Sequence, residues 1–205
     1  VKQINLDGVG KRGGEFIESQ LATAASDPEL VAATAEEIIR LGADRKSWLV
    51  FSSGVNHANM LAAEFDFHNI PVGVVTGSDS SSVREKAIAD FKSGKLRCLI
   101  NVNVLTTGFD HPEVDLVALV RATASTGLYV QMVGRGTRIA EGKEDCLILD
   151  YGQNVERHGF IDQVKPKDKM SSGDGEAPVK QCEKCQTMVH AACQICPECG
   201  FEFPA

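Results

Sequence analysis

The sequence lacks a phosphate-binding loop, a long apolar run and a signal peptide. No Gly-x-x-x-x-Gly-Lys-[Ser/Thr] pattern occurs in its 205 residues, which excludes the common loop that cradles nucleotide phosphates. No apolar stretch approaches the roughly 20 residues needed to span a membrane, and the first residues lack the apolar segment of a signal peptide. We therefore expect a soluble, cytoplasmic protein with no membrane partner.

Positive charge is also scarce. The chain has 21 Lys+Arg residues against 28 Asp+Glu residues, which gives a formal net charge of -7. This balance excludes a broad basic surface, the feature that drives indiscriminate nucleic-acid binding through counterion release. A nucleic-acid contact would have to be local and use hydroxyl groups and main-chain amides as much as lysine. We expect such binding by this chain alone to be weak and salt-sensitive.

Apolar runs and helical stretches alternate along the chain, which predicts an α/β fold with a parallel sheet and helices on both faces. The apolar runs lie at 48–52, 71–75, 96–104, 115–120 and 145–150, and the helical stretches at 55–67, 80–92 and 127–134. A further helix is predicted to begin at Asp27-Pro28-Glu29, because proline is favoured in a first helical turn. The length leaves room for one such domain and something small.

A small metal site is predicted at the carboxyl terminus, after a polar linker at 164–180. Cys182-Glu183-Lys184-Cys185 and Cys196-Pro197-Glu198-Cys199-Gly200 form two Cys-x-x-Cys pairs separated by ten residues. Four cysteines in this arrangement are typical of a tetrahedral Zn²⁺ site of the ribbon or knuckle kind. The sequence leaves two alternatives open: Cys193 or His190 replaces one of these ligands, or the cysteines form disulfides, which fits a cytosolic protein poorly. Burial accounts for Cys98 and Cys146, which lie in apolar strand runs.

Gln131-Met132-Val133-Gly134-Arg135-Gly136-Thr137-Arg138 places two arginines three residues apart, directly after a predicted helix. Such spacing projects both guanidinium groups to one side. Arginine binds phosphate oxygens in bidentate fashion and keeps its charge, which indicates a phosphate site. An arbitrary Arg-x-x-Arg is more often a solvated surface pair. The phosphate hypothesis therefore depends on the segments around it.

One such segment is Thr106-Thr107-Gly108-Phe109-Asp110, which follows the apolar run ending at Val104. Open α/β sheets bind ligands in loops at the carboxyl ends of their strands. Glycine lets the backbone approach a ligand, threonine hydroxyls and amides hold phosphate oxygens, and aspartate accepts a hydrogen bond from a ribose hydroxyl. The loop therefore suits a nucleotide or a nucleic-acid backbone.

Together these two segments resemble motifs V and VI of superfamily-2 helicases. The resemblance extends back to residues 48–53, which are similar to motif IV, to the strand and Thr-Gly turn at 72–77, and to the helix at 84–94 with its R…F…G pattern. It covers about residues 46–159 and is closer to the restriction-type and XPB-like branch, bacterial or phage, than to the DEAD-box branch. It implies the second, C-terminal RecA-like domain of a helicase.

The resemblance implies roles for named residues. Arg135 and Arg138 would reach the γ-phosphate of ATP across a cleft, and Gln131 would orient them. Asp110 would hold the ribose, with Gly108 and Gly134 also at the nucleotide. The candidate residues for nucleic-acid binding are Ser52, Ser53, Thr76, Gly77, Thr106 and Thr107. For Ser53 and Thr76, turn and cap chemistry is an equal alternative.

The sequence departs from the family at two positions. Valine stands at position 102, near the place where DEAD-box proteins have a threonine that touches RNA phosphate, so that contact is not carried over. Ala122 replaces the proline of an Arg-Pro-Thr-x-Ser loop that these helicases often have, although Thr123 and Ser125 remain. We expect the chemistry of this loop to be retained and the loop to be less rigid than one with proline.

A helicase hydrolyses ATP between two RecA-like domains, and the first of these holds Mg²⁺ with an acidic box. Neither that box nor the phosphate loop occurs in this sequence, which begins with valine rather than methionine. We therefore expect part of a longer polypeptide, inactive in ATP hydrolysis alone. The implied partners are an N-terminal RecA-like domain and a DNA or RNA strand. The alternative is a non-catalytic helicase-like module that binds nucleic acid or a protein through its zinc ribbon.

Four regions are predicted on this basis. The first is a lead-in with a flanking helix, the second the RecA-like domain, the third a flexible linker and the fourth the zinc ribbon or knuckle. Their predicted boundaries are 1–45, 46–163, 164–180 and 181–205. The oligomeric state and the choice between DNA and RNA are not predicted.

Overall fold

The structure, a computed structural model, describes residues 3–104, 109–164 and 179–204. The chain begins with a short antiparallel hairpin and two helices. These are β1 (Lys11–Arg12), β2 (Glu15–Phe16), α1 (Glu18–Ala25) and α2 (Pro28–Leu41). The hairpin and α1 were not predicted, because two-residue strands and a short helix of low amphipathicity leave almost no periodic signal.

Strands and helices then alternate as predicted. The elements are β3 (Trp48–Ser52), α3 (Val55–Phe67), β4 (Val72–Thr76), α4 (Ser81–Lys92), β5 (Cys98–Val102), β6 (Leu116–Val120), α5 (Thr126–Val133), β7 (Leu147–Asp150) and α6 (Asn154–His158). A second short hairpin, β8 (Val179–Gln181) and β9 (Met188–His190), belongs to the carboxyl-terminal tail.

The central sheet has five strands in the order β4-β5-β3-β6-β7, and every neighbouring pair is parallel. Successive residues of each strand point to opposite faces. Trp48 and Val50 therefore face the layer formed by α2 and α3, whereas Leu49 and Phe51 face the layer formed by α4 and α5. The predicted parallel sheet with helices on both faces is confirmed.

Local capping fixes several helix starts at the predicted places. Asp27 accepts a hydrogen bond from the Leu30 amide at 2.9 Å, and Ser80 accepts one from the Val83 amide at 3.4 Å. These bonds satisfy amides that have no partner inside the helix. Gly94, directly after α4, has a φ of 75°, a value that glycine adopts without strain. α4 therefore begins at a serine cap and ends just before a glycine with positive φ.

The cysteine tail, residues 179–204, packs against the helicase-like sheet domain. Val179 and Met188, one from each strand of its hairpin, lie against the hydrophobic cluster that contains Val155 of α6. The hairpin begins at Val179, two residues before the predicted start of the tail. Most of the predicted linker, 165–178, lies outside the described residues.

One expectation about cysteine burial needs correction. Cys98 is fully buried on β5, as expected. Cys146 is only half-buried: it lies directly before β7, an edge strand on which Leu147 and Ile148 are half-buried too. Among the described residues, no helix is long and apolar enough to cross a membrane.

Candidate functional site

The two arginines lie in a turn directly after α5, and both reach the same backbone group. Arg135 donates from Nη1 to the Phe109 carbonyl oxygen at 2.5 Å. Arg138 donates to the same oxygen at 3.3 Å. The turn and the segment at Phe109 are separated by about 26 residues in sequence, so only the folded sheet brings them together.

The two guanidinium groups differ in exposure. Arg135 is 8% exposed, and burial followed by repulsion from Arg138 lowers its pKa from the usual value. The side chain of Arg138 is 37% exposed and forms an ion pair with Asp110, whose side chain is 74% exposed. Arg138 therefore offers a charge at the surface, whereas Arg135 fixes the backbone beneath it.

Lys143 holds the arginine turn in place. Its ammonium group donates to the carbonyl oxygens of Gly136 at 2.6 Å, Arg138 at 2.8 Å and Pro112 at 3.0 Å. Three acceptors match the three N–H donors of an ammonium group. The clamp joins the turn to the segment after Asp110. No sequence pattern pointed to this role, because Lys143 lies outside the helicase motif.

Two glycines of the turn are required by close packing. A Cβ at Gly136 would lie 2.4 Å from Cys146 Sγ and 2.9 Å from Val117 Cγ2. A Cβ at Gly134 would lie 2.8 Å from the Val130 carbonyl oxygen. These contacts give both glycines a structural role. The prediction that Gly134 binds nucleotide remains a prediction.

The remaining predicted nucleotide-side residues are placed only in part. Gln131 lies on α5 and is exposed to solvent. Thr106, Thr107 and Gly108 lie outside the described residues. Their assigned roles remain predictions, as does the assignment of Asp110 to the ribose.

The carboxyl ends of β3 and β4 carry the other predicted nucleic-acid residues. Ser52 and Ser53 are buried, and their hydroxyls donate to the carbonyls of Gly54 at 3.2 Å and Val120 at 3.0 Å. Thr76 is buried too, with its hydroxyl 2.9 Å from that of Ser78. Gly77 is exposed. The three hydroxyls thus have hydrogen-bond partners within the protein, and their assignment to nucleic acid remains a prediction.

A buried histidine supports this edge of the sheet. His57 Nδ1 lies 3.1 Å from the Ser52 hydroxyl and accepts from the Ser53 amide at 3.3 Å. The ring is 1% exposed, and burial lowers the pKa of His57 to about 4. His57 is therefore neutral near pH 7. Its role escaped the sequence reasoning because a histidine in a helix carries no distinctive signal.

The loop between β6 and α5 is bound on several sides. Thr123 donates from its amide to Asn154 Oδ1 at 2.9 Å, and its carbonyl lies 2.8 Å from His158 Nε2. His158 Nδ1 also lies 3.2 Å from the Thr126 hydroxyl. A Cβ at Gly152 would lie 2.2 Å from the Arg121 carbonyl oxygen. These contacts give His158 a structural role, which is the usual role of a single histidine in a loop.

Four cysteines of the tail converge. The Sγ atoms of Cys182, Cys185, Cys196 and Cys199 all lie within 4.8 Å of one another. The Sγ atoms of Cys182 and Cys199 are 3.6 Å apart, and those of Cys185 and Cys196 are separated by the same distance. All seven cysteines are free, so none forms a disulfide. The geometry favours Cys199 over Cys193 as the fourth member of the cluster. Cys193 and His190 both lie outside the cluster.

An open cavity of about 580 Å³ lies at the amino ends of the strands, away from the predicted nucleic-acid edge. Its lining mixes acidic and basic side chains, including Arg45, Lys92, Asp115 and Lys143. Because the lining carries both signs of charge, it favours neither anionic nor cationic ligands.

The family model for the helicase conserved C-terminal domain matches residues 31–140. This match spans more than half of the chain and contains both arginines and the Phe109-Asp110 segment. The chain belongs to the helicase C-terminal domain family.

Relatives of this helicase domain include ATP-dependent helicases of yeasts. The putative mitochondrial ATP-dependent helicase irc3 of Schizosaccharomyces pombe is 40% identical over 114 residues, which are 56% of this chain and 19% of that protein. The putative ATP-dependent helicase IRC3 of Saccharomyces cerevisiae is 35% identical over 52% of this chain and 15% of its own length. A 51.5 kDa protein of a Lactococcus phage is 28% identical over 76% of this chain and 36% of that protein. The matched part thus spans less than a fifth of either yeast relative.

Solved structures support the same fold. The Escherichia coli DEAD-box protein SrmB, bound to the regulator of ribonuclease activity A, superposes with a TM-score of 0.55 at 20% identity, covering 72% of this chain and 93% of that one. Saccharomyces cerevisiae Dbp5, bound to RNA and ADP BeF3, gives a TM-score of 0.52 at 23% identity over 62% of this chain and 33% of that one. At such identities the likeness concerns the fold of the helicase domain.

Proposed function

We propose that this helicase C-terminal domain supplies an arginine to an ATP site completed by a P-loop domain of the same polypeptide. The observation that carries the proposal is the unequal exposure of the two arginines in the turn after α5. Arg138 presents its guanidinium group at the surface, whereas Arg135 is buried against the Phe109 carbonyl. The relatives' names, which describe ATP-dependent helicases, support ATP as the substrate.

In this proposal Arg138 and Arg135 have different roles. Arg138 exchanges its ion pair with Asp110 for the γ-phosphate and stabilises the charge that develops during phosphoryl transfer. Asp110 is thereby released to bind a ribose hydroxyl. Arg135 and Lys143 keep the backbone of the turn fixed, so that Arg138 does not have to be reordered at each turnover. The P-loop domain would hold Mg²⁺, which would neutralise phosphate charge when bound.

The nucleic-acid strand is proposed to lie along the carboxyl edge of the sheet. Exposed Gly77 offers a main-chain amide there, and Thr106 and Thr107 are assigned to the same edge by their place in the motif. Because the hydroxyls of Ser52, Ser53 and Thr76 are engaged internally, main-chain groups are the donors expected at those positions. A contact of this kind suits a chain with net charge -7.

The cysteine tail is proposed to bind one Zn²⁺ through Cys182, Cys185, Cys196 and Cys199. The four Sγ atoms, all within 4.8 Å of one another, fit a tetrahedral thiolate site. Before a metal binds the thiols differ: hydrogen bonds with Thr187 lower the pKa of Cys185 to about 6, whereas burial raises the pKa of Cys199, and bound Zn²⁺ would deprotonate both. Zinc would stabilise the tail, whose hairpin packs against the sheet domain near α6.

The experiment is nucleic-acid-stimulated ATP hydrolysis by the full-length protein with Arg138→Ala. We expect kcat to fall by about 10³-fold or more, because an arginine in this role is worth that much. Arg40→Ala is the matched control, since Arg40 is exposed on α2 and forms an ion pair with Glu37 in its own helix. The isolated chain should hydrolyse no ATP.

Unchanged turnover in Arg138→Ala would contradict the arginine assignment. If the full-length protein instead binds nucleic acid but never hydrolyses ATP, the non-catalytic module is correct. Circular dichroism of each variant verifies that the fold is intact.

A further inference from the structure

The carboxylate of Glu15 is bound by the loop that precedes α5. Its Oε1 accepts from the Ala124 amide at 2.7 Å, and its Oε2 accepts from the Ser125 amide at 3.2 Å and from the Thr123 hydroxyl at 2.5 Å. Glu15 lies about 108 residues before this loop in the sequence. Three consecutive residues of the loop thus each donate a hydrogen bond to one side chain of the amino-terminal hairpin.

This loop determines where α5 begins. The Ser125 hydroxyl accepts from the Leu128 amide at 3.2 Å and caps the first turn of the helix. The helix then runs for 8 residues, carries Gln131, and ends beside the arginine turn. A short helix moves as a rigid unit, so a displacement at its first turn reaches the arginines at its other end.

The hairpin that carries Glu15 is itself anchored. Phe16 is buried with Ile4, Leu21 and Ala122 in a small hydrophobic cluster separate from the two main ones. The Arg157 guanidinium lies 5.0 Å from the centre of the Phe16 ring. Because Phe16 adjoins Glu15, the hairpin holds the carboxylate at a fixed place against the loop.

The electrostatics suit a charged carboxylate at this place. Burial alone would raise the pKa of Glu15, but hydrogen bonds from Thr123, Ala124, Phe16 and Ser125 outweigh it and lower the pKa. The positive end of the α5 dipole acts in the same direction. Glu15 is therefore ionised near pH 7 and remains a strong acceptor.

We propose that Glu15 is a positioning residue for the arginine turn, and that its clamp on the Thr123–Ser125 loop couples the amino-terminal hairpin to ATP hydrolysis. The proposal rests on the proposed role of Arg138. The hairpin precedes the sheet in the chain, on the side from which a P-loop domain would connect. A movement of that connection would change the position of α5 and therefore the position of Arg138 relative to the γ-phosphate.

Glu15 can be removed without releasing the loop. Thr123 stays bound to Asn154 and His158 through its main-chain groups, and Ala122 stays fully buried. Loss of the carboxylate should therefore shift α5 slightly rather than unfold it. This separates a positioning role from a purely structural one.

The test is steady-state ATP hydrolysis by full-length Glu15→Gln and Glu15→Asp variants at saturating nucleic acid. Glu15→Gln keeps the size of the side chain but replaces one carboxylate oxygen by an NH2 group, which cannot accept the hydrogen bonds that the loop donates. We expect its kcat to fall by about 10-fold to 100-fold, since a small misplacement of a catalytic group costs that much, with KM for ATP changed by less than about 2-fold. Glu15→Asp, which keeps the charge, should recover part of the loss. Glu29→Gln, an exposed carboxylate in the first turn of α2, is the matched control.

A double-mutant cycle shows whether Glu15 acts through Arg138. In an Arg138→Lys background, Glu15→Gln should lower kcat much less than in the wild type. An equal loss in both backgrounds, or an unchanged kcat for Glu15→Gln while Arg138→Lys is impaired, would overturn this inference alone. Unchanged turnover in Arg138→Ala would overturn the proposed function itself, so the two failures are distinguishable.

Discussion

The sheet domain and the cysteine tail are stabilised in different ways within one chain. In the sheet domain, β3, β5 and β6 are buried along their whole length between two layers of helices. In the tail, the only buried hydrophobic residues among those described are Cys182, Val189 and Cys196, and two of these are predicted metal ligands. The sheet domain can fold by removing apolar surface from water, whereas the tail has too little apolar surface to do so.

The two regions should therefore be destabilised by different changes. Changes in packing or buried charge should affect the sheet domain, and loss of metal should affect the tail. The two responses can be read separately, because the single tryptophan, Trp48, is fully buried on β3 and the tail has none. Trp48 fluorescence therefore reports on the sheet domain, and zinc content reports on the tail.

The largest expected effect is the loss of the tail in the double variant Cys182→Ser with Cys199→Ser. Structural zinc contributes on the order of 10 kcal/mol to the folding of small zinc modules, and these two cysteines face each other at 3.6 Å. We expect bound zinc to fall from one per chain to none and the tail to become sensitive to protease. The Trp48 unfolding transition should change little.

Cys193→Ser is the matched control, because Cys193 lies outside the converging group. It should keep one zinc per chain. If Cys193→Ser releases the metal, or if a Cys182–Cys185 disulfide is found, the ligand assignment is wrong.

The next largest effect is a pH dependence confined to the sheet domain. The folded pKa of His57 is about 4, against 6.5 for an ordinary histidine, because burial disfavours the charged ring. The unfolded chain therefore binds the proton first as pH falls, and stability is full above pH 6.5 and is lost between 6.5 and 4. The loss attributable to His57 should be about 3 kcal/mol.

The measurement is denaturant unfolding by Trp48 fluorescence across this pH range for the wild type and His57→Asn. The variant keeps an acceptor near the Nδ1 position but cannot take up the proton. Its stability should fall less with decreasing pH. Parallel curves for the two proteins would show that His57 is not the titrating group.

A smaller effect is expected from Gly152→Ala, which tests close packing at the end of the sheet. The added Cβ would meet the Arg121 carbonyl oxygen at 2.2 Å. Such overpacking costs about 1–3 kcal/mol, and zinc content should not change.

Gly127→Ala is the opposite control for this packing test. Gly127 lies in α5, and a Cβ placed there would lie 3.8 Å from Ser125 Oγ, an ordinary van der Waals distance. Alanine there should stabilise the domain by up to about 1 kcal/mol. Similar destabilisation by both changes would indicate that loss of glycine itself, rather than the clash, is responsible.

The fold could be predicted closely because its signals are local. The apolar run at 48–52 and the helical stretch at 55–67 coincide with β3 and α3. The cap at Ser80 and the proline after Asp27 fixed two helix starts. The hairpin at Lys11–Phe16 was missed, because its stability comes from docking on a distant loop rather than from a pattern of its own.

The candidate site was predictable in composition but not in geometry. Motif spacing identified Arg135 and Arg138 as a pair, and the four cysteines as a metal site. It gave no indication that one arginine is buried and the other exposed, because burial depends on how the turn meets Phe109. Lys143 and Glu15 were missed for the same reason. Lys143 acts through hydrogen bonds to main-chain carbonyls, and Glu15 through hydrogen bonds from a loop distant in sequence.

Local spacing and periodicity in the sequence were enough to predict the helicase family, the alternation of strands and helices, and a metal site in the two Cys-x-x-Cys pairs, with Cys193 left as an alternative ligand. The tertiary structure alone decided which arginine reaches the surface, which side chains hold it there, and that Cys199 rather than Cys193 joins the cluster. The physical reason is that exposure, hydrogen-bond partners and close approach are properties of surfaces that meet only after folding.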